Sequence, residues 1–101
     1  MFPLTSSAAD LQGQLASLKA WELVEGHHLR RTFRFADFAA ALAWLNRAGA
    51  VCEQQGHHAD FLLRWGSVRV EIWTHDVDGL TPADPQLAQA LDRLPLSSEM
   101  P

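Results

Sequence analysis

Several kinds of residue are scarce in this sequence, and each shortage excludes a class of protein. The single cysteine, Cys52, excludes an internal disulfide framework and cysteine-rich zinc folds, and it indicates a reducing compartment. Basic residues are outnumbered, because eight Lys and Arg stand against twelve Asp and Glu and give a net charge of −4. Proteins that bind a nucleic-acid backbone need clustered positive charge, so we expect no direct nucleic-acid partner.

Long apolar runs are missing as well. No stretch of about eighteen apolar residues occurs, and residues 1–10 lack the basic and apolar regions of a signal peptide, so we expect a cytoplasmic protein without a membrane span. The 101 residues, 48% of them hydrophobic, fit one domain over residues 1–101 with frayed ends at 1–6 and 96–101. A domain this small has only modest stability, so self-association would stabilise its folded state.

The hydrophobic periodicity predicts seven elements in the order α-β-β-α-β-β-α. Helices are predicted over roughly 8–19, 37–55 and 82–94, with hairpins over 21–35 and 61–75 between them. Ser7 and Asp10 can form a capping box for the first helix, and Gly56 is placed to end the second. The apolar stripe of the second helix is predicted to contain Phe38, Ala41, Leu42, Leu45, Ala48 and Cys52. This order predicts an α+β fold, in which a four-stranded antiparallel sheet carries the helices on one face.

Two local features have alternative readings. Arg31 falls on the apolar face of its strand, so either the strand bulges there or its end lies at the rim of the sheet. The last helix begins with a capping box from Thr81 to Asp84 with Pro82 at the first helical position, or with Asp84 as the N-cap and Pro85 behind it.

The histidines are the main candidates for chemistry. Three of the five, His57, His58 and His75, lie at the ends of predicted elements, where side chains can converge. Histidine can donate and accept protons near neutral pH, so these residues suggest a proton-transfer site, although a His-His pair in a loop can also arise by chance. We predict that the other pair, His27 and His28, lies in a solvated turn and carries no chemistry.

Glu53 strengthens the proton-transfer interpretation. It lies in the last turn of the second helix, where the helix dipole disfavours a carboxylate by about 0.3–1 kcal/mol. Glu53 therefore either orients His57 or binds a polar ligand, or it is solvated in a frayed turn. Three histidines and a water could also hold zinc, but adjacent side chains such as those of His57 and His58 tend to diverge, so we expect no metal. Cys52 lies on the apolar stripe, which indicates a buried thiol and not a nucleophile.

Several motifs together resemble those of the pterin-4a-carbinolamine dehydratase family, also called the DCoH family. The resemblance covers roughly residues 11–94. It rests on Glu53-Gln54-Gln55-Gly56-His57-His58-Ala59-Asp60-Phe61, on Trp65, on Thr74-His75-Asp76, on Gly79-Leu80-Thr81 with Asp84 and Leu87-Ala88, and upstream on Trp21 and residues 33–38.

The resemblance implies a fold, an activity and a set of site residues. The implied reaction is the dehydration of 4a-hydroxytetrahydropterin to the quinonoid dihydropterin, which recycles tetrahydrobiopterin without a metal or an organic cofactor. His57 and His75 match the family's acid-base positions and His58 its pterin-binding histidine. Glu53, Asp60 and Trp21 are implied as substrate contacts, with a core role as the alternative for Trp21. A homodimer or homotetramer is implied as well.

The sequence departs from the family pattern at two positions. Ala59 stands where a proline usually follows the His-His pair, and Phe61 stands where a tryptophan is usual. Both departures bear on how firmly the histidines are presented and thus on activity. Members of the family also serve as protein-binding factors, so the alternative function is a non-catalytic binding or assembly factor with a protein partner, such as a chaperone for a carbon-fixing enzyme or a dimerisation cofactor of a transcription factor.

Overall fold

A computed structural model of the protein describes residues 8–96 and has the predicted α+β fold. The elements follow the predicted order, with one short 3₁₀-helix added after the last strand. They are α1 (Ala8–Ala16), β1 (Glu22–Val24), β2 (His28–Arg34), α2 (Phe38–Gln55), β3 (Asp60–Arg64), β4 (Ser67–Ile72), the 3₁₀-helix (His75–Val77) and α3 (Ala83–Asp92). None of the helices in this described part is long and apolar enough to cross a membrane.

The four strands form one antiparallel sheet in the order β1-β2-β4-β3. The side chains of β4 alternate as predicted, so that Val68, Val70 and Ile72 are fully buried while Arg69 between them is exposed. Helices α2 and α3 pack on the buried side of β4, and the opposite face of the sheet stays open. The hydrophobic core therefore lies in one layer between the sheet and the helices.

The first hairpin confirms the predicted turn and decides the position of Arg31. Glu25 and Gly26 both have positive φ angles, and the His27 amide donates to the Val24 carbonyl across them at 2.9 Å. The strand does not bulge at Arg31, which pairs regularly with Val70. The Arg31 guanidinium instead reaches the rim of the helix-covered face, where it lies 2.7 Å from the Asp92 carboxylate.

Helix α2 has the predicted ends but not the whole predicted stripe. The Asp37 side chain accepts from the Ala40 amide at 2.8 Å, and Gly56 ends the helix in the left-handed conformation. Phe38 and Leu42, predicted to face the core, are 43% and 39% exposed, whereas Trp44 is fully buried. The buried face is centred on small residues, which bring the helix close to the sheet and leave the apolar positions at its margin outside the core.

Smaller differences occur at the element ends. Helix α1 ends at Ala16 and not near residue 19, because the Ser17 hydroxyl and amide both bond to the Gln14 carbonyl and start a tighter turn. Leu18 behind this turn is buried. The capping box predicted at Ser7 and the frayed ends predicted at 1–6 and 96–101 lie outside the described residues, apart from Leu96.

Helix α3 begins with the first of the two predicted arrangements. The Thr81 amide donates to Asp84 Oδ2 at 2.8 Å, and the Ala83 amide donates to the Thr81 hydroxyl at 3.3 Å. These reciprocal bonds are those of a capping box, and Pro82 between them already has a helical φ of −58°. The start of α3 is thereby fixed near the end of α2, where the candidate site lies.

Candidate active site

A cleft of about 250 Å³ lies where the end of α2 meets the segment that follows β4. Pockets for drug-sized ligands occupy about 300–1,000 Å³, so this cleft suits a smaller molecule. It brings together the three histidines that the sequence analysis singled out. The lining residues are Gly56, His57, His58, Trp73, Thr74, His75 and Asp76.

The C-terminal cap of α2 positions the His57-His58 pair. Gly56 has a φ of 65° and its amide bonds back to the last turn of the helix. The His57 amide then donates to the Cys52 carbonyl at 3.2 Å. These bonds satisfy carbonyl groups that a helix end otherwise leaves free, and they fix the direction in which the chain leaves the helix. The backbone that carries the two histidines is thus held by hydrogen bonds and not by a proline at position 59.

His57 is held from behind by a buried carboxylate. Its Nε2 atom lies 2.5 Å from Asp84 Oδ1, and the Asp84 side chain is fully buried. The other oxygen, Oδ2, accepts from the Thr81 amide and from the Thr74 hydroxyl, each at 2.8 Å. A buried carboxylate is tolerated only when hydrogen bonds replace its hydration, and three donors do so here.

The same bonds determine which nitrogen of His57 carries a proton. Oδ2 of Asp84 accepts from a backbone amide and a hydroxyl, and an ionised carboxylate only accepts, so the contact between Oδ1 and His57 assigns a hydrogen to Nε2. The Thr74 hydroxyl, which donates to Asp84, lies 2.8 Å from the Thr81 hydroxyl and accepts from it. The neutral imidazole of His57 therefore has its free lone pair on Nδ1, the arrangement of a carboxylate-oriented general base.

Glu53 pairs with His58 and not with His57. Glu53 Oε2 contacts His58 Nε2, and both side chains are largely exposed. The interpretation that Glu53 orients His57 is therefore wrong, since Asp84 occupies that position. The pair places an imidazole that lines the cleft, with a carboxylate beside it, at the solvent-exposed mouth, where both can bind polar groups of a ligand.

His75 is presented by a short 3₁₀-helix that the sequence analysis placed in a strand. Strand β4 ends at Ile72, and Thr74 then bridges to Gly79, with its amide donating to the Gly79 carbonyl at 2.8 Å. This closed loop turns His75 out of the sheet. Its ring stacks on Trp73 with centroids 4.5 Å apart and an interplanar angle of 17°.

Trp73 also contacts the His27-His28 pair. The ring centroids of these histidines lie 5.5 and 5.7 Å from that of Trp73, and His27 Nε2 lies 2.7 Å from Asp78 Oδ1. The prediction of a solvated turn is therefore wrong. Both rings instead tie the first hairpin to the loop that carries His75.

None of the three expected substrate contacts is among the residues that line the cleft, although Glu53 lies beside it through its contact with His58. Trp21 is 7% exposed, packs edge-on against Phe33 and donates its indole N–H to Asp92 at 2.9 Å, so it is a core residue. Asp60 is exposed on the edge strand β3, in register with Glu71.

Asp84 and Trp73 are the residues that sequence reasoning missed as parts of the site. Asp84 entered the sequence analysis as a helix cap and as part of the family motif, and Trp73 was given no role there. The signal for Asp84 was the Thr81-Pro82-Ala83-Asp84 motif, which predicts a capping carboxylate but not its second partner 27 residues upstream.

Metal ligation and thiol chemistry find little support in the geometry. Among residues 8–96, no group of three or more His, Cys, Asp or Glu side chains is placed to hold a metal ion. Cys52 is 2% exposed on α2, and burial raises the pKa of its thiol above the usual value, as expected of a structural cysteine.

Comparison with known proteins gives one consistent relationship. The family model of pterin 4 alpha carbinolamine dehydratase matches residues 5–94. A protein of Rubrobacter xylanophilus, provisionally named a pterin-4-alpha-carbinolamine dehydratase, is 44% identical over 85 residues, which are 84% of this chain and 79% of the relative. A protein of Thermosynechococcus vestitus with the same provisional name is 43% identical over 88 residues, covering 87% and 92% of the two chains.

A solved structure shows the same fold. The crystal structure of a transcriptional coactivator/pterin dehydratase from Brucella melitensis matches with a TM-score of 0.76 at 26% identity, over 85% of this chain and 93% of the other. With a family model that matches nearly the whole described chain and relatives above 40% identity, the chain belongs to the pterin 4 alpha carbinolamine dehydratase family.

Proposed function

We propose that the protein dehydrates 4a-hydroxytetrahydropterin to the quinonoid dihydropterin by histidine acid-base catalysis and so takes part in tetrahydrobiopterin recycling. One proton goes to the 4a-hydroxyl group, which leaves as water, and one proton is taken from a ring nitrogen. No electrons are exchanged with another molecule. Two groups that titrate near neutrality and flank the ring are sufficient for this reaction.

The observation that carries the proposal is the convergence of His57, His58 and His75 on one small cleft. His57, with its free lone pair on Nδ1, accepts the ring proton, and Asp84 stabilises the resulting imidazolium. His75, on the facing loop, delivers the proton to the leaving hydroxyl. The base must start as a neutral imidazole and the acid as a protonated one. Of the two histidines, only His57 has a buried carboxylate behind it to stabilise the charge that a base gains.

We assign the substrate contacts from the side chains at the mouth of the cleft. His58 and Glu53 hold the polar edge of the ring, where an imidazole and a carboxylate match its N–H groups and ring nitrogens. Asp60 follows this pair and contacts only a ligand that extends beyond the cleft. We assign Trp21 no contact, because Asp92 already accepts from its indole N–H.

A direct spectroscopic assay of dehydration tests the proposal. The purified protein should accelerate the conversion of chemically generated 4a-hydroxytetrahydropterin over its spontaneous rate. The assay also decides whether Ala59 and Phe61 leave the site active, since Phe61 packs against the core and the α2 cap holds the histidine pair. A rate equal to the buffer rate, with a protein that is folded by circular dichroism, would contradict the proposal.

A binding or assembly role is the second candidate. Phe38 and Leu42 expose apolar area on the outer side of α2, and the structural relative from Brucella melitensis is named both a coactivator and a dehydratase. An inactive protein that captures a defined partner through α2 would favour this role.

We expect the protein to be a homo-oligomer. The exposed Phe38 and Leu42 and the unpaired outer edges of β1 and β3 offer surfaces for a second copy, and a small domain gains stability from covering them. Light scattering at micromolar concentration should give a mass at least twice the 11.2 kDa of one chain. A mass of a single chain would contradict this expectation.

We also expect no stoichiometric zinc. Asp84 and Glu53 already bind the Nε2 atoms of His57 and His58, so these nitrogens are not arranged around a common point. Elemental analysis of the purified protein should find well under one zinc per chain. One zinc per chain that is lost together with activity on chelation would reverse the assignment.

A further inference from the structure

The open face of the sheet has its charges separated into two regions. In one cross-strand row, Arg30 lies between Glu22 and Glu71, and Asp60 extends the row on β3. Carboxylates outnumber the single arginine in this row. Nearer the β3–β4 turn, three arginines share the face with no acidic residue between them: Arg34, Arg64 and Arg69.

The register brings these three arginines around one point. Arg34 and Arg64 are the partners of Ser67 on either side of β4, so they lie about 10 Å apart, two strand spacings. Arg69 lies two residues along β4, diagonal to both, at about 7–8 Å. Ser67 in the middle has a short side chain, and a depression of about 160 Å³ forms above it, lined by the three arginines, Thr32, Leu62 and Ser67.

None of the three arginines has a carboxylate within 4.0 Å among the described residues, whereas Arg30 and Arg31 each form ion pairs. This is notable in a chain with an excess of four negative charges, where a carboxylate partner would be easy to supply. The three arginines occupy diagonal positions and not directly opposite ones, so their side chains can be close together without direct cross-strand repulsion. A shared anion would neutralise this cluster of like charges.

We propose that Arg34, Arg64 and Arg69 form a binding site for the phosphate group of a small molecule or for free phosphate. Guanidinium groups bind phosphate through paired N–H donors, and the hydroxyls of Ser67 and Thr32 add donors at the floor and side. The depression has room for a phosphate and a few further atoms. Its nearest lining residue along the chain, Arg69, lies four residues or about 13 Å before Trp73 of the histidine cleft, and the two sites share no lining residue, so the depression is separate from the proposed dehydratase site.

Nuclear magnetic resonance titration of the full chain with inorganic phosphate tests the proposal. Sodium chloride at matched ionic strength serves as the reference for simple screening. We expect saturable shifts of the amide and arginine side-chain resonances of β2, β3 and β4 around Ser67, with no such saturation in chloride. A second titration with glycerol phosphate distinguishes free phosphate from a phosphorylated small molecule. Tighter binding of glycerol phosphate than of inorganic phosphate identifies a phosphorylated small molecule as the ligand.

Arg69→Gln and Arg30→Gln form the matched pair of variants. Both remove one arginine from the same sheet face, but only Arg69 lies in the depression. Phosphate affinity should fall at least tenfold in Arg69→Gln and stay within twofold of the unmodified protein in Arg30→Gln. The proposal is overturned by equal losses in both variants, by equal responses to phosphate and chloride, or by binding that occurs only with a long polyanion such as an oligonucleotide.

Discussion

Replacing His57 or His75 with alanine is expected to lower kcat by about 10²–10⁴, the usual contribution of a positioned acid or base. The two residues line one cleft from different elements, one after α2 and one on the 3₁₀-helix, so in the proposed mechanism each variant removes a different proton transfer. His58→Ala should act chiefly through KM, because His58 lies with Glu53 at the exposed mouth and holds the ring in the proposed mechanism. Steady-state kinetics of the dehydration measure all three variants.

The His57 variant needs its own folding control. Removal of the imidazole leaves the buried Asp84 carboxylate without one of its donors, which costs about 1–3 kcal/mol. His57→Gln can still donate to Asp84 but cannot exchange protons, so it should restore stability without restoring kcat. Gln54 lies on the exposed last turn of α2, and the control variant Gln54→Ala should leave kcat and KM nearly unchanged. Full activity in the His57 or His75 variants would refute the assigned roles.

Asp84→Asn is expected to lower kcat by about 10²-fold or more although Asp84 is a positioning residue that does not touch the substrate. Asparagine can keep its oxygen towards the Thr81 amide and Thr74, and its NH₂ group then faces His57 Nε2. A donor at this position requires Nε2 to be the acceptor and moves the ring hydrogen to Nδ1. The lone pair that accepts the substrate proton in the proposed mechanism is then lost.

Two measurements separate this effect from simple destabilisation. The ¹⁵N resonances of the His57 ring report its tautomer in the free protein, and they should show a hydrogen on Nε2 in the unmodified chain and on Nδ1 in Asp84→Asn. Asp92→Asn is the matched control, because Asp92 lies at the other end of α3 and binds Trp21 and Arg31. It should lower stability and leave kcat unchanged. An unchanged tautomer in Asp84→Asn would contradict the positioning role.

The parts of the fold that could be predicted are those governed by local physics. Helix α2 has a capping aspartate, an apolar period and a terminal glycine that agree with one another, and its ends are as predicted. The alternation along β4 fixed its buried face in the same way. The residues of α2 that face the core were harder to predict, because whether Phe38 or Trp44 is buried depends on the angle at which the helix meets the sheet.

The site was predictable only as a set of candidate residues. The sequence placed His57, His58 and His75 at element ends and attached the family motifs to them, but the tertiary structure decided which side chain each one meets. Glu53, a near neighbour in sequence, pairs with His58, while the partner of His57 is Asp84, 27 residues away.

By itself the sequence determined the order of the elements, the family and the residue types available for proton transfer, because capping and periodicity are properties of neighbouring residues. The tertiary structure alone decided the carboxylate partner of His57, the stacking of His75 on Trp73 and the grouping of Arg34, Arg64 and Arg69 around Ser67. Each of these depends on which strands and helices become neighbours in space, and a hydrogen bond or a charge cluster exists only once that packing has brought its members within a few ångströms.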